Sequence, residues 1–120
     1  MIKVTTIDNP EYQEFETWAA FLRTNQILHS HNDKPSATSY YIISKMRYDH
    51  WYLNGRQHRS NSKPSCISYL ESGEIFDKCW HLDGRRYSEQ DYKQIMKQIE
   101  SMSDTERLLD SRWWVREMAK

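Results

Sequence analysis

An eight-residue stretch, Trp51-Tyr52-Leu53-Asn54-Gly55-Arg56-Gln57-His58, returns twenty-nine residues later as Trp80-His81-Leu82-Asp83-Gly84-Arg85-Arg86-Tyr87. At the same spacing and without a gap, Asn25 meets Asn54 and Asp83, His29 meets His58, and Lys34-Pro35-Ser36 meets Lys63-Pro64-Ser65. Ser39-Tyr40 likewise meets Ser68-Tyr69. A period of this length points to stacked or meandering units. Two full units, 25–53 and 54–82, are followed by a truncated third, 83–87.

The chemistry of one unit is that of a hairpin. Asn-Gly and Asp-Gly between apolar runs favour a two-residue loop in which both central residues take positive φ. Gly73 predicts a second reversal, and Ser44-Lys45 marks its counterpart, without glycine, in the first unit. Pro35 and Pro64 lack an amide donor and belong at strand starts or in connections. Alternation then sorts the faces. Phe76, Lys78, Trp80 and Leu82 share one face, as do Arg47, Asp49, Trp51 and Leu53, and the coinciding Trp and Leu columns mark the packed side. The opposite face carries Met46, Tyr48, His50 and Tyr52 in one unit but Ile75, Asp77, Cys79 and His81 in the next. Positions where the units differ are the better places to seek a binding surface, because the fold explains the shared ones.

The pattern W-x-L-N-G-x-x-H-R, then lysine, proline and a small residue, then tyrosine, a glycine turn and W-x-L-D-G, resembles a repeat of small bacteriophage proteins. There it typically reads W-x-x-N-G-K-x-H-R-x-D-G-P-A and is distantly related to MORN-type repeats. The resemblance covers residues 25–95. It departs from the pattern where Asn61-Ser62-Lys63-Pro64-Ser65 stands for D-G-P-A and where Tyr87-Ser88 replaces the final His-Arg. It implies a phage or prophage origin and action inside a bacterial cell, and it carries no catalytic residue.

Outside the repeats, Ile2 and Val4 alternate with Lys3 and Thr5 as a short strand. Asp8-Asn9-Pro10-Glu11 reads as a helix start, with Tyr12, Phe15, Ala19 and Leu22 as its apolar stripe to about Thr24. Ser88-Glu89-Gln90-Asp91 opens a helix bearing Tyr92, Ile95, Met96, Ile99 and Met102. Ser103-Asp104-Thr105-Glu106 is a capping box opening a last helix through Met118. Trp113 and Trp114 lie about 100° apart on that helix, so either both join a broad core or one faces an interface. The expected architecture is α+β in one domain, 1–120. A sheet of two 29-residue hairpin units (25–87) follows a strand and one N-terminal helix (1–24), and two C-terminal helices (88–120) cover one face or pack at its end.

Composition narrows function. Five Trp and eight Tyr argue for a folded chain. No apolar run spans a bilayer and no signal peptide opens the chain, so the cytoplasm is the default location and no membrane partner is expected. Seventeen Lys and Arg balance seventeen Asp and Glu, which excludes both an acidic DNA mimic and a strongly basic nucleic-acid binder. Three glycines, all in turns, build no phosphate loop, and no cofactor is expected. His29 and His31 invite a metal, yet His29 and His58 share a repeat column and more simply make the same structural bond twice. Cys79 and His81 share a strand face, but no nucleophile signature supports them. Cys66 and Cys79 fall on neighbouring strands, where either a disulfide or two reduced thiols would fit.

Two classes remain. One is a non-enzymatic protein-binding module, which with a phage origin means an inhibitor occluding a host protein: defence machinery of the CRISPR kind, or the expression apparatus. Its expected contacts are Tyr48, His50 and Tyr52 on the variable face, Arg47, Arg56 and Arg59 around the first hairpin, and Trp114. The alternative is RNA or DNA binding through the same arginines and tyrosines.

Overall fold

The computed structural model describes residues 1–119. Nine strands and four helices follow one another as β1 (Ile2–Thr6), β2 (Asn9–Phe15), α1 (Trp18–Leu22), β3 (Ala37–Tyr40), β4 (Arg47–His50), β5 (Tyr52–Leu53), β6 (Arg56–Gln57), β7 (Cys66–Tyr69), β8 (Ile75–Leu82), β9 (Arg85–Tyr87), α2 (Glu89–Glu100), α3 (Asp104–Leu108) and α4 (Trp113–Glu117). The fold is α+β. Seven strands form one sheet in the order β2-β1-β3-β4-β7-β8-β9, while β5 and β6 make a separate two-stranded ribbon. Every strand pairing is antiparallel.

The glycine turns form as their residue types require. Asn54 and Gly55 take φ of 52° and 79°, and Asp83 and Gly84 take 52° and 84°, the primed geometry that matches strand twist. Several bonds recur at the sequence offset. Asn54 donates its backbone N–H to His29 Nδ1 (3.0 Å), and Asp83 donates to His58 Nδ1 (2.7 Å). Gly55 donates to the Leu28 carbonyl and Gly84 to that of Gln57 (2.9 and 2.8 Å). Ser36 donates to the His50 carbonyl and Ser65 to that of Cys79, both at 2.8 Å.

Residues 9–15 depart from the helical reading. They are a strand, because the chain reverses after Thr6 and lays β2 along β1 in the register Ile2↔Phe15 and Val4↔Gln13. Without β2, the far side of β1 would be an open edge. Asn9 Oδ1 accepts the Glu11 N–H (3.0 Å), holding the entry locally, and Pro10 is tolerated on an edge strand. The helix begins only after Thr17, whose Oγ1 caps the Ala20 N–H (3.1 Å). At the other terminus three short helices replace the two expected. The capping box at Ser103 forms, but Asp110 Oδ1 accepts the Arg112 N–H (2.8 Å) and grips its guanidinium. Such side-chain bonds compete with helix continuation, so α3 stops and α4 starts afresh.

Register decides the faces. Val4, Ala37, His50, Cys66 and Cys79 stand side by side across five strands, so Trp80 and Leu82 point to the other side. Phe21 of α1 packs with Ile2, Val4 and Ala37 on the first face. Helices α2 and α4 pack Tyr92, Met96, Ile99, Trp114 and Val115 against Trp80 and Leu82 on the second. The sheet is thus covered near one edge on its first face by α1 and near the other edge on its second face by α2 and α4. The paired tryptophans differ accordingly. Both are buried, but Trp80 lies in the helical core whereas the Arg59 guanidinium sits 4.0 Å over the Trp51 ring.

Candidate functional site

The Asp83-Gly84 turn closes one end of the sheet, with Arg56 of the separate β5–β6 ribbon beside it. At the other, the β3–β4 and β7–β8 turns stand beside each other because β4 pairs with β7 (Arg47↔Tyr69). In the first, Lys45 donates its N–H to the Tyr41 carbonyl (2.8 Å) with φ of 58°. In the second, Gly73 supplies the positive φ of 90°. A Lys45–Glu71 ion pair at 3.6 Å links the two turns.

This end is apolar and open. Ile42 is 90% exposed and Ile43 99%, and Tyr40, Tyr41, Leu70, Ile75 and Phe76 are exposed too. Beside the isoleucines runs a groove of about 680 Å³ walled by Met1, Ile2 and Trp18 opposite Tyr40, Tyr41, Ile42 and Ile43. Contiguous apolar surface of this kind marks interaction sites. Glu16 is the one charged side chain lining the groove, and in the neighbouring turns the exposed Glu71 and Glu74 are set against Lys45 and Arg47. A signal for it was present in the sequence. In repeat register Ile42-Ile43 stands where the second unit has Glu71-Ser72, a difference the fold does not demand.

Of the residues expected to make contacts, Arg47 and Tyr48 adjoin this tip. The Arg47 guanidinium lies 4.2 Å over the Tyr69 ring and pairs with Asp49 at 3.3 Å. Tyr48 meets Tyr41 edge-on at 5.1 Å. His50 and Tyr52 come together farther along the first face, ring centroids 6.5 Å apart, with Gln57 Nε2 at 3.2 Å from His50 Nδ1. Arg56 is at the glycine end, exposed and bonded to both Asp83 oxygens at 3.1 Å.

Two of those residues face inward instead. Trp114 is 5% exposed, because α4 turns it into the Trp80–Tyr92 cluster. Its neighbour Trp113 is half-buried and donates Nε1–H to Asp83 Oδ1 (3.1 Å). The Arg59 side chain is 10% exposed. It donates from Nε and Nη2 to the Asp33 carboxylate (3.0 Å each) and from Nη1 to the Pro64 carbonyl (3.0 Å). Burial works to raise the Asp33 carboxyl, but the bonds from Arg59 and Asn61 and the charge of Lys63 outweigh it and hold Asp33 below its ordinary value. Arg59→Ala is therefore expected to cost about 2 kcal/mol in urea unfolding, losing charge-assisted bonds and the cation over Trp51. Arg56→Ala, an exposed pair, should cost below about 0.5 kcal/mol.

The histidines and cysteines are also engaged. His29 Nδ1 accepts the Asn54 N–H, and His31 Nε2 lies 2.7 Å from the Thr6 carbonyl. His81 Nδ1 is 2.7 Å from Ser65 Oγ, and Ser65 is fully buried. Burial, reinforced by Cys79, pushes the Cys66 thiol up to about 12. Among the described residues no group of three or more His, Cys, Asp or Glu is placed to hold a metal ion, and no helix is long and apolar enough to cross a membrane. Comparison with protein-family models, curated proteins and solved structures finds no match to this chain.

Proposed function

We propose that this chain is a protein-binding module without catalytic activity, built from two 29-residue hairpin units. In this reading it is encoded by a bacteriophage and acts in the host cytoplasm by occluding a host protein, such as a component of a CRISPR-type defence complex. The observation that carries the binding role is the pair Ile42-Ile43, almost wholly exposed beside an apolar groove. Burying such side chains removes apolar area from water at roughly 25 cal/mol per Å². The groove's apolar walls and its single charged side chain, Glu16, set the partner's chemistry: an apolar ridge, not a phosphate backbone or an anionic membrane. The recurring bonds at His29 and His58 support the two units. The sequence resemblance supports the phage origin.

The nucleic-acid reading has one observation in its favour. Arg85 and Arg86 are exposed near Arg56 at the glycine-turn end. It loses Arg59, whose donors are spent on Asp33 and Pro64. The test uses the purified chain as bait in a bacterial lysate, then reconstitutes the complex from the isolated partner. Ile42→Asp with Ile43→Asp is expected to weaken that complex roughly 100-fold or more, while Arg85→Glu with Arg86→Glu leaves it within a few-fold. Recovery of nucleic acid alone, or a complex indifferent to the isoleucines, would overturn the proposal. Salt separates the two readings further, since phosphate-dominated binding weakens steeply as salt rises.

A further inference from the structure

On the sheet's first face, Cys66 of β7 and Cys79 of β8 are direct cross-strand partners. Residues so paired have Cα atoms about 4.5–5.5 Å apart, within the roughly 4.4–6.8 Å that a disulfide spans. Both side chains are half-buried and unlinked. Two apolar clusters organise the core, one under α1 and the other under α2 and α4, and neither includes the cysteines. Their row continues to His50 on β4, and the next row carries His81 opposite Arg86.

We propose that Cys66 and Cys79 form a reversible dithiol–disulfide site whose oxidant is a small-molecule disulfide of the glutathione class. The thiolate of one cysteine attacks one sulfur of the oxidant, forming a mixed disulfide and expelling one small thiolate. The other cysteine then attacks the protein sulfur of that mixed disulfide and expels the second. The two cysteine protons pass to the two departing thiolates, so the protein loses two electrons and one oxidant molecule becomes two thiols. Both thiols are half-buried, and either can take the first step. The bond ties the open end of the hairpin whose other end carries Leu70, Ile75 and Phe76. Oxidation therefore locks the pairing of the two strands that carry one of the two turns at the apolar end. The inference rests on strand register and is independent of the protein-binding reading.

The test exposes the full chain to oxidised and reduced glutathione and follows thiols by alkylation and intact mass. The expected product is a monomer that has lost two hydrogens, is restored by dithiothreitol, and melts several degrees higher, as a short staple predicts. Cys66→Ser and Cys79→Ser should each stop at the mixed disulfide. Proximity imposed by the fold, not by sequence, should make the exchange equilibrium at least roughly tenfold more favourable in the native chain than in urea. A native chain that keeps both thiols, halts at mixed disulfides, links into dimers, or shows no advantage over the unfolded chain would overturn it.

Discussion

Trp114→Ala is expected to lower the free energy of unfolding by about 4 kcal/mol, near the upper range for a single substitution. The indole is 5% exposed and shares its cluster with Trp80, Leu82, Tyr92, Met96, Ile99 and Val115. Its removal leaves a cavity bounded by rigid strands on one side and the twelve-residue α2 on the other, which cannot collapse to fill it. The neighbouring Trp113→Ala forfeits half-buried area and the Nε1–H bond to Asp83, about 1–2 kcal/mol. Urea unfolding with an unchanged slope against denaturant measures both. Equal costs for the two tryptophans would mean that α4 is not held with Trp114 inward.

That asymmetry shows where the sequence was legible. A glycine turn is legible because few residues tolerate positive φ, and Asn54-Gly55 and Asp83-Gly84 turn as read. The repeated histidine was legible as structural because a column invites the same bond twice, and His29 and His58 each accept the turn amide that follows. Helix starts were legible at Ser88 and Ser103, where side chains cap the expected N–H groups. What failed depended on distant partners. The spacing of Tyr12, Phe15, Ala19 and Leu22 fits a helix, yet β1 needed a neighbour and took residues 9–15. Leu22 is left exposed, while Phe21 is buried. Which tryptophan of an adjacent pair turns inward depends on how α4 docks, and no local pattern encodes that. Arginine on a hairpin reads as contact surface until Asp33 is brought, by a left-handed pair of residues at Asn32 and Asp33, to its guanidinium. The apolar tip was missed because Tyr40-Tyr41-Ile42-Ile43 looks like buried strand. Only its mismatch with the second unit distinguishes it.

Acid should destabilise the fold between pH 6.5 and 4 by about 3 kcal/mol through His58 alone. The ring is 1% exposed and lies between the Trp113 and Trp114 rings, centroids at 5.6 and 5.4 Å. Nδ1 accepts the Asp83 N–H, so the neutral ring carries its hydrogen on Nε2, which has no hydrogen-bond partner among the described residues. Burial lowers its pKa to about 4, against a smaller opposing pull from the Asp83 carboxylate. Above pH 6.5 the ring is neutral in folded and unfolded chains, and the stability is complete. As pH falls towards 4 only the unfolded chain takes up the proton, so stability drops by up to about 1.4 kcal/mol per pH unit, and the loss is complete below the folded value. His29, His50 and His81 are also lowered, chiefly by burial, and add loss of the same sign. Asp110, held near 2 by its bonds to Arg112, titrates below this window. His58→Asn isolates the single ring, since its amide oxygen can accept the Asp83 N–H and does not titrate. Urea unfolding at pH 7, 5.5 and 4.5 should find the variant weaker at pH 7 but shallower in its decline, the two chains converging towards pH 4.5. Parallel declines would show that His58 binds its proton equally well in both states, and that the tryptophan roof over it is open.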